Sequence, residues 1–412
     1  MTDPFPRQGL PLEEARARLL DGLSVSLPEE TLPLIACLGR VSARPVVAAE
    51  AVPGFRASVM DGFALAGTAP AAGAAWELVG RSEPGAPYPD RLQPGEAVRI
   101  LTGAPVPDGC ERVVPQELAR LEGDRSRLLV PDASSGPAWI RAADEEARPG
   151  DRLLEAGERL GAAHLARLAA CGVDRIAVHR RPTLALLISG DELVPPGRPR
   201  GPGSIWESNG TLLEALLQRL GYTVVSRAVV ADRRDPLRRA MTDMAEHADV
   251  VVSTGGVSAG DSDWIRPLLA ELGSVTFWKL DLKPGRPFAF GQLKGTPFFG
   301  LPGNPVSAAV TALQLLWPAL ERLEGVTESP CRRWRLPLAA PIERRAGRPE
   351  LMRAALDRDG DGHPVARLLG SQASSRLGSL QGADLLLEIP AEATRLEAGE
   401  RVWAQLLALP LL

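Results

Sequence analysis

Between Pro182 and about Leu323, this 412-residue chain repeats one pattern: an apolar β-branched run, a loop rich in glycine, then a helical run. Strands buried on both faces read as continuous apolar runs, and this alternation builds a mostly parallel sheet with helices on both faces. Strands are expected at 183–189, 223–229, 249–253, 274–278 and 297–301. Helices are expected at 208–220, 236–245, 263–272 and 305–323. Sheets of this kind bind ligands at the carboxyl ends of their strands, so the loops there are the candidate sites.

The most informative loop is Thr254 to Asp263, T-G-G-V-S-A-G-D-S-D. Gly255 and Gly256 let backbone N–H groups face outward at a helix N-terminus, which makes an anion site. Asp261 and Asp263 would not sit beside a bound anion unless a cation lay between. The run also contains Gly256-Val257-Ser258-Ala259-Gly260, the G-x-S-x-G of a serine hydrolase, whose triad runs Ser, acid, His along the chain. Of the histidines His164, His179, His247 and His363, only His363 follows Ser258, and it sits in a turn of another region. Ser258 is therefore a candidate phosphate contact rather than a nucleophile.

Three further loops share the setting. Ser189-Gly190-Asp191-Glu192-Leu193 ends a strand with adjacent acids, suited to a cation or to acid–base work; the plainer reading is a turn capping a helix. In Glu207-Ser208-Asn209-Gly210, Ser208 or Asn209 serves as an N-cap, and a ligand contact is additional. In Leu301-Pro302-Gly303-Asn304-Pro305, Asn304 suits an N-cap and Pro305 the first helical position. The prolines make that loop rigid. Lys283-Pro284-Gly285-Arg286-Pro287 holds two cations close together, a point charge and a fork for an oxyanion; standing alone it reads better as a solvated basic turn.

The rest of the chain frames this α/β segment. Helical spacing covers 11–22, 28–39 and 162–171. Short strand-like runs with Gly/Pro turns fill 53–139, at 76–79, 97–101, 112–115 and 127–130. After Pro330, runs at 334–338, 365–369, 385–389 and 401–406 suggest a small β domain. The expected fold is multidomain α/β: a central three-layer domain with a mostly parallel sheet (181–327), a split helical domain (1–52 and 140–180), a β-rich insert (53–139) and a C-terminal β-barrel-like domain (328–412). A net charge of -4 speaks against a nucleic-acid binder. No apolar run approaches a membrane span, and Met1-Thr2-Asp3-Pro4 lacks a signal-peptide pattern. Cys37, Cys110, Cys171 and Cys331 form no C-x-x-C pair, so a reduced, cytoplasmic chain without structural zinc is expected. There is no P-loop and no G-x-G-x-x-G after a strand.

In combination, M-D-G-F-A (60–64), R-I-L-T-G-A-P-V-P (99–107), S-G-D-E-L (189–193), S-N-G (208–210), G-G-V-S-A-G-D-S-D (255–263), K-P-G-R-P (283–287) and G-L-P-G-N-P-V-S-A (300–308) resemble the molybdopterin molybdenumtransferase (MoeA/gephyrin) family, over about residues 10–405. The resemblance implies Mg²⁺-dependent cleavage of adenylylated molybdopterin, with AMP released and molybdate inserted. It places the essential acids on Asp61, Glu192 and Asp263 and the family threonine on Thr102. Metal ligation falls to Glu192, Asp263 and Asp261. Molybdate meets Lys283, Arg286, Arg353 and Ser374. Adenylyl and phosphate groups lie on Gly255, Gly256, Ser258, Pro302, Gly303, Asn304 and Pro305, with Asn209 nearby. It implies an elongated homodimer joined through the split domain, in which Asp61 and Thr102 act across the dimer, and a transient partner in molybdopterin adenylyltransferase. The chain departs from the family pattern at Glu146, at Asp232-Arg233-Arg234-Asp235-Pro236, at Arg286, at Ala373 and at Asp384. Acid changes of this kind keep a second expectation open: a non-catalytic molybdopterin-binding or scaffold protein, like the receptor-anchoring domain of gephyrin.

Overall fold

The computed structural model describes residues 9–23, 27–67, 75–123, 125–130, 136–257, 264–327 and 333–407. The fold is multidomain α/β. Its contacts divide the chain into two compact units, one of 1–44, 156–162 and 177–412, the other of 45–155 and 163–176.

In the first unit a six-stranded sheet runs in the order 223–230, 183–189, 250–254, 296–301, 289–293, 273–278. The first four strands are parallel, and Ala289–Leu293 runs antiparallel to both its neighbours. Side-chain alternation makes three layers. Leu184, Leu186, Ile188, Val250 and Val252 pack on one face with Leu213, Leu217 and Val306. Ala185, Leu187 and Val251 pack on the other with Leu237, Met241, Ile265 and Leu268. The helices that carry these residues are Asn209–Arg219, Pro305–Thr311, Arg234–His247 and Ile265–Leu272. The strand Thr183–Ser189 has its successors on opposite sides, Thr223–Val230 on one and Val250–Thr254 on the other, so a crevice opens at its carboxyl end. Ser189 and Val230 are paired, and Thr254 pairs Leu301, which puts the candidate loops at one end of the sheet.

The segment 28–39 is not a helix. Glu29–Pro33 is a strand and Leu34–Cys37 a single 3₁₀ turn. Pro28 and Pro33 cannot donate to a helical ladder, and the Arg180 N–H bonds Pro28 O instead. The helix expected over 305–323 is interrupted by a π-turn at Ala312–Leu316. Pro318 has no N–H for Gln314 O, and the Arg16 guanidinium takes that carbonyl at 3.2 Å.

After the α/β segment, five antiparallel strands stand in the order 333–337, 401–406, 385–389, 350–358, 364–368 over a core of Leu336, Met352, Leu385, Leu387 and Val402. Leu338, just past one edge strand, bridges Ala366 in the other, so this sheet curls toward a barrel. In the second unit, six strands run 110–115, 62–66, 96–100, 75–82, 127–129, 120–122. No helix among the described residues is long and apolar enough to cross a membrane.

Candidate functional site

Thr254 ends its strand fully buried, and its hydroxyl donates to Pro302 O at 3.0 Å. The Asn209 amide donates to Thr254 Oγ1 at 2.9 Å and to Gly303 O at 2.7 Å. One side chain thus ties the Asn209 helix to both glycine loops. It is not the N-cap expected from its type: the buried Glu207 carboxylate receives the Gly210 N–H at 2.6 Å, while Ser208 makes no capping bond. Arg227 neutralises Glu207 from the neighbouring strand.

The glycines permit close approach. Gly255 has φ +86°, and a Cβ there would lie 2.3 Å from Ser189 O. Gly256 has φ +63°, and its Cβ would strike Ile265 at 2.8 Å. Asn304 continues the surface, donating to Ser374 Oγ at 3.0 Å, while the Val306 N–H reaches Ser374 O at 3.1 Å. Pro305 opens its helix at the first position, as expected. Asn209, Gly255, Gly256, Pro302, Gly303, Asn304, Pro305 and Ser374 therefore form one continuous surface of glycine turns, amides and helix starts.

Acids gather beside it. Ser189 Oγ donates to the Asp232 carboxylate, and the Asp232 N–H donates to Asp191 Oδ1 at 3.1 Å. Burial, with the negative charges of Asp191 and Glu192, pushes the Asp232 carboxyl above its ordinary range, against the opposing effect of the Ser189 hydroxyl. Excess negative charge at a strand end suits a hard divalent cation, and Mg²⁺ needs few carboxylates when phosphate oxygens and waters complete its shell. Glu192 stands close enough for its charge to act on Asp232, and its backbone carbonyl accepts the Ile205 N–H at 2.9 Å. Ser258, Asp261 and Asp263 lie outside the described residues. Among the described residues the one tight set of ligand atoms is elsewhere, on the exposed turn of Asp359, Asp361 and His363.

Cations occupy the other flank. Lys283 Nζ stands 2.9 Å from Glu350 Oε1, and Glu350 is buried, with Arg344 at 3.6 Å from its second oxygen. The Lys283–Arg286 loop is stitched to this strand: Lys283 N–H donates to Pro349 O and Leu351 N–H to Lys283 O. It is a fixed loop rather than a solvated turn, held partly by Gly285, where a Cβ would meet Thr311 at 2.6 Å. Arg286 is exposed. Arg353 is fully buried, with Nε on Ser379 Oγ at 3.2 Å and its Nη1 without a partner among the described residues. An orphaned guanidinium nitrogen beside the Ser374 loop is suited to an oxyanion.

In the second unit, Asp61 Oδ1 accepts both the Thr102 hydroxyl and the Thr102 N–H, each at 2.7 Å. The hydroxyl above all, then the N–H and the Arg99 charge, hold this exposed carboxyl below its ordinary range. The two residues chosen from separate motifs are thus direct partners. Glu146, one of the family departures, pairs with Arg167 at 3.1 Å.

Comparison with known proteins gives this surface its context. Residues 10–172 match the model of the MoeA N-terminal region (domains I and II), 185–322 that of a probable molybdopterin binding domain, and 335–407 that of the MoeA C-terminal region (domain IV). The chain is 31% identical over 403 residues to the molybdopterin molybdenumtransferase of Haemophilus influenzae, spanning 95% of this chain and 97% of that protein. The chain belongs to the molybdopterin molybdenumtransferase family. It is also 32% identical over 424 residues to molybdopterin molybdenumtransferase 1 of Mycobacterium tuberculosis, over 96% of this chain and 99% of that one. A solved MoeA protein structure from Pyrococcus horikoshii superposes with a TM-score of 0.82 at 24% identity, over 97% of this chain and all of that one, which speaks for the fold. The process this enzyme family serves is molybdenum cofactor biosynthesis.

Glu207, Asp232 and Glu350 are site residues absent from the sequence-based candidates, where Thr254 stands only as the start of a run. Glu207 carried a signal, an acid at a helix start. Asp232 carried a weak one, as the first acid of the altered motif at 232–236, and Glu350 carried none, because its partners are distant in sequence.

Proposed function

We propose that this chain inserts molybdate into adenylylated molybdopterin and releases AMP, in a reaction that requires Mg²⁺. The observation that carries this reading is the convergence of the Asn209, Gly255 and Asn304 loops on one strand-end surface, flanked by acids on one side and by Lys283 and the orphaned Arg353 guanidinium on the other. Backbone N–H groups of the glycine turns hold the phosphates. Arg353, Lys283, Arg286 and Ser374 receive molybdate as an oxyanion. Glu192, Asp261 and Asp263 hold Mg²⁺, with Asp232 added by its raised carboxyl. Mg²⁺ supplies charge neutralisation at the phosphate oxygens.

Asp61 and Thr102 complete the site across a homodimer, the hydroxyl keeping the carboxylate ionised and oriented. The reading includes division into the four domains given above, cytoplasmic location, and receipt of substrate from molybdopterin adenylyltransferase. It is tested by AMP release from adenylylated molybdopterin with and without Mg²⁺ and molybdate. Release should need both and should vanish in Glu192→Ala and Asp263→Ala. Full activity in both variants would reject the site, and no release by the wild-type chain would reject the function.

A further inference from the structure

Between Glu192 and Glu207 the chain makes a rigid excursion, P-P-G-R-P-R-G-P-G-S, closed by a short parallel pairing of Leu193–Val194 with Ile205–Trp206. Its base is tied to the site just described: the Ile205 N–H bonds Glu192 O at 2.9 Å, and the Glu207 N–H bonds Val194 O at 2.8 Å. Trp206 is therefore paired with Val194, two residues beyond Glu192, and stands three residues before Asn209.

Trp206 is 50% exposed, and the adjacent Ile205 equally so. Leaving an indole half in water forfeits burial that a merely structural tryptophan would gain. Yet this indole is held still. Its Nε1–H donates to Arg198 O at 3.0 Å, and the Arg200 guanidinium lies 4.0 Å from the ring centroid. Arg200 is itself fixed by a bond to Ser204 O at 3.3 Å. Four prolines stiffen the loop beneath, and Gly197 and Gly203 make its left-handed turns. An exposed aromatic with a cation stacked on it, pre-ordered at the rim of a phosphate-binding crevice, matches the way proteins take planar heterocycles.

We propose that Trp206, with Arg200, is a specificity-determining platform that stacks against a planar heterocycle carried on the phosphate bound at the glycine loops. The ring can be the adenine or the pterin of an adenylylated pterin; the shared chemistry is a flat heteroaromatic joined to phosphate. The inference rests on the proposed function above.

The test is isothermal titration of the full chain, in Mg²⁺, with three probes: AMP, 6-hydroxymethylpterin monophosphate, and ribose 5-phosphate, which has no aromatic ring. In Trp206→Ala, affinity for one ring-bearing probe should fall about tenfold or more, since a stacked base contributes on the order of 1–3 kcal/mol. Ribose 5-phosphate affinity should not change. Trp206→Phe should restore most of the loss, and Arg200→Ala should weaken the same probe. The probe affected identifies the ring. Unchanged affinity for both ring-bearing probes in Trp206→Ala overturns the platform, and so does an equal loss for ribose 5-phosphate, which marks a structural role. Failure of the wild-type chain to bind any probe overturns the proposed function itself, and the platform with it.

Discussion

Gly255→Ala should disable the site far more than it disturbs the fold. At φ +86° an alanine pays about 1–2 kcal/mol for left-handed backbone. Its Cβ would also lie 2.3 Å from the Ser189 carbonyl oxygen, against 3.4 Å for ordinary contact, so the loop must retreat by about 1 Å. Neither neighbour is a flexible side chain that could yield: Ser189 is buried at its strand end and Thr254 is pinned by Asn209 and Pro302. A displacement of that size at a phosphate-positioning loop costs about 100-fold in kcat/KM. Gly295→Ala is the matched control: φ is +90° but nothing lies within 4 Å of its Cβ, so it carries the strain without the collision. Gly295→Ala should melt lower by the strain alone and keep wild-type AMP release, while Gly255→Ala should melt lower still and lose AMP release. Wild-type kcat/KM in Gly255→Ala would refute the role of close backbone approach here.

Three other outcomes follow from the same geometry. Thr102→Val removes the main donor to Asp61; the Asp61 carboxyl should titrate at higher pH by NMR, and the acid limb of the pH–activity profile should move up with it. Asp232 has a raised folded-state value, so its contribution to stability is fully present below the unfolded value of about 3.8 and is lost as pH rises through the raised one. Asp232→Asn should therefore melt higher than wild type in Mg²⁺-free buffer at neutral pH, an advantage that disappears near pH 3. Glu350→Gln leaves the mostly buried Arg344 without its counter-charge and should cost about 3 kcal/mol in urea unfolding, with the half-exposed Lys283 contributing little of that.

What could be read from sequence depended on how local its cause was. The parallel strands were legible because residues such as Leu184–Ile188 and Val250–Val252 are apolar on both faces. The strand Ala289–Leu293 was not, since its five residues include Gly291, kept small because a Cβ would sit 2.0 Å from Ser274 O on the neighbouring strand. Glu350–Arg358 reads E-L-M-R-A-A-L-D-R, a helix-favouring composition made into a strand by pairing on both edges. The glycine loops announced themselves by composition, and so did Asp61 and Thr102. The bond between those two, the Asn209 bridge, the pairing of Lys283 with Glu350 and the buried position of Arg353 are contacts across tens of residues or more, which no local pattern encodes.

If one surface of this chain joins molybdate to the pterin as AMP leaves, the two products are coupled. The most direct test is the molybdenum content of the pterin product, measured by mass spectrometry after incubation of the full chain with adenylylated molybdopterin, Mg²⁺ and molybdate. One molybdenum per AMP released is expected, and neither product when Glu192 is replaced by alanine. AMP release without molybdenum in the product, or molybdenum transfer undiminished in Glu192→Ala, would contradict it.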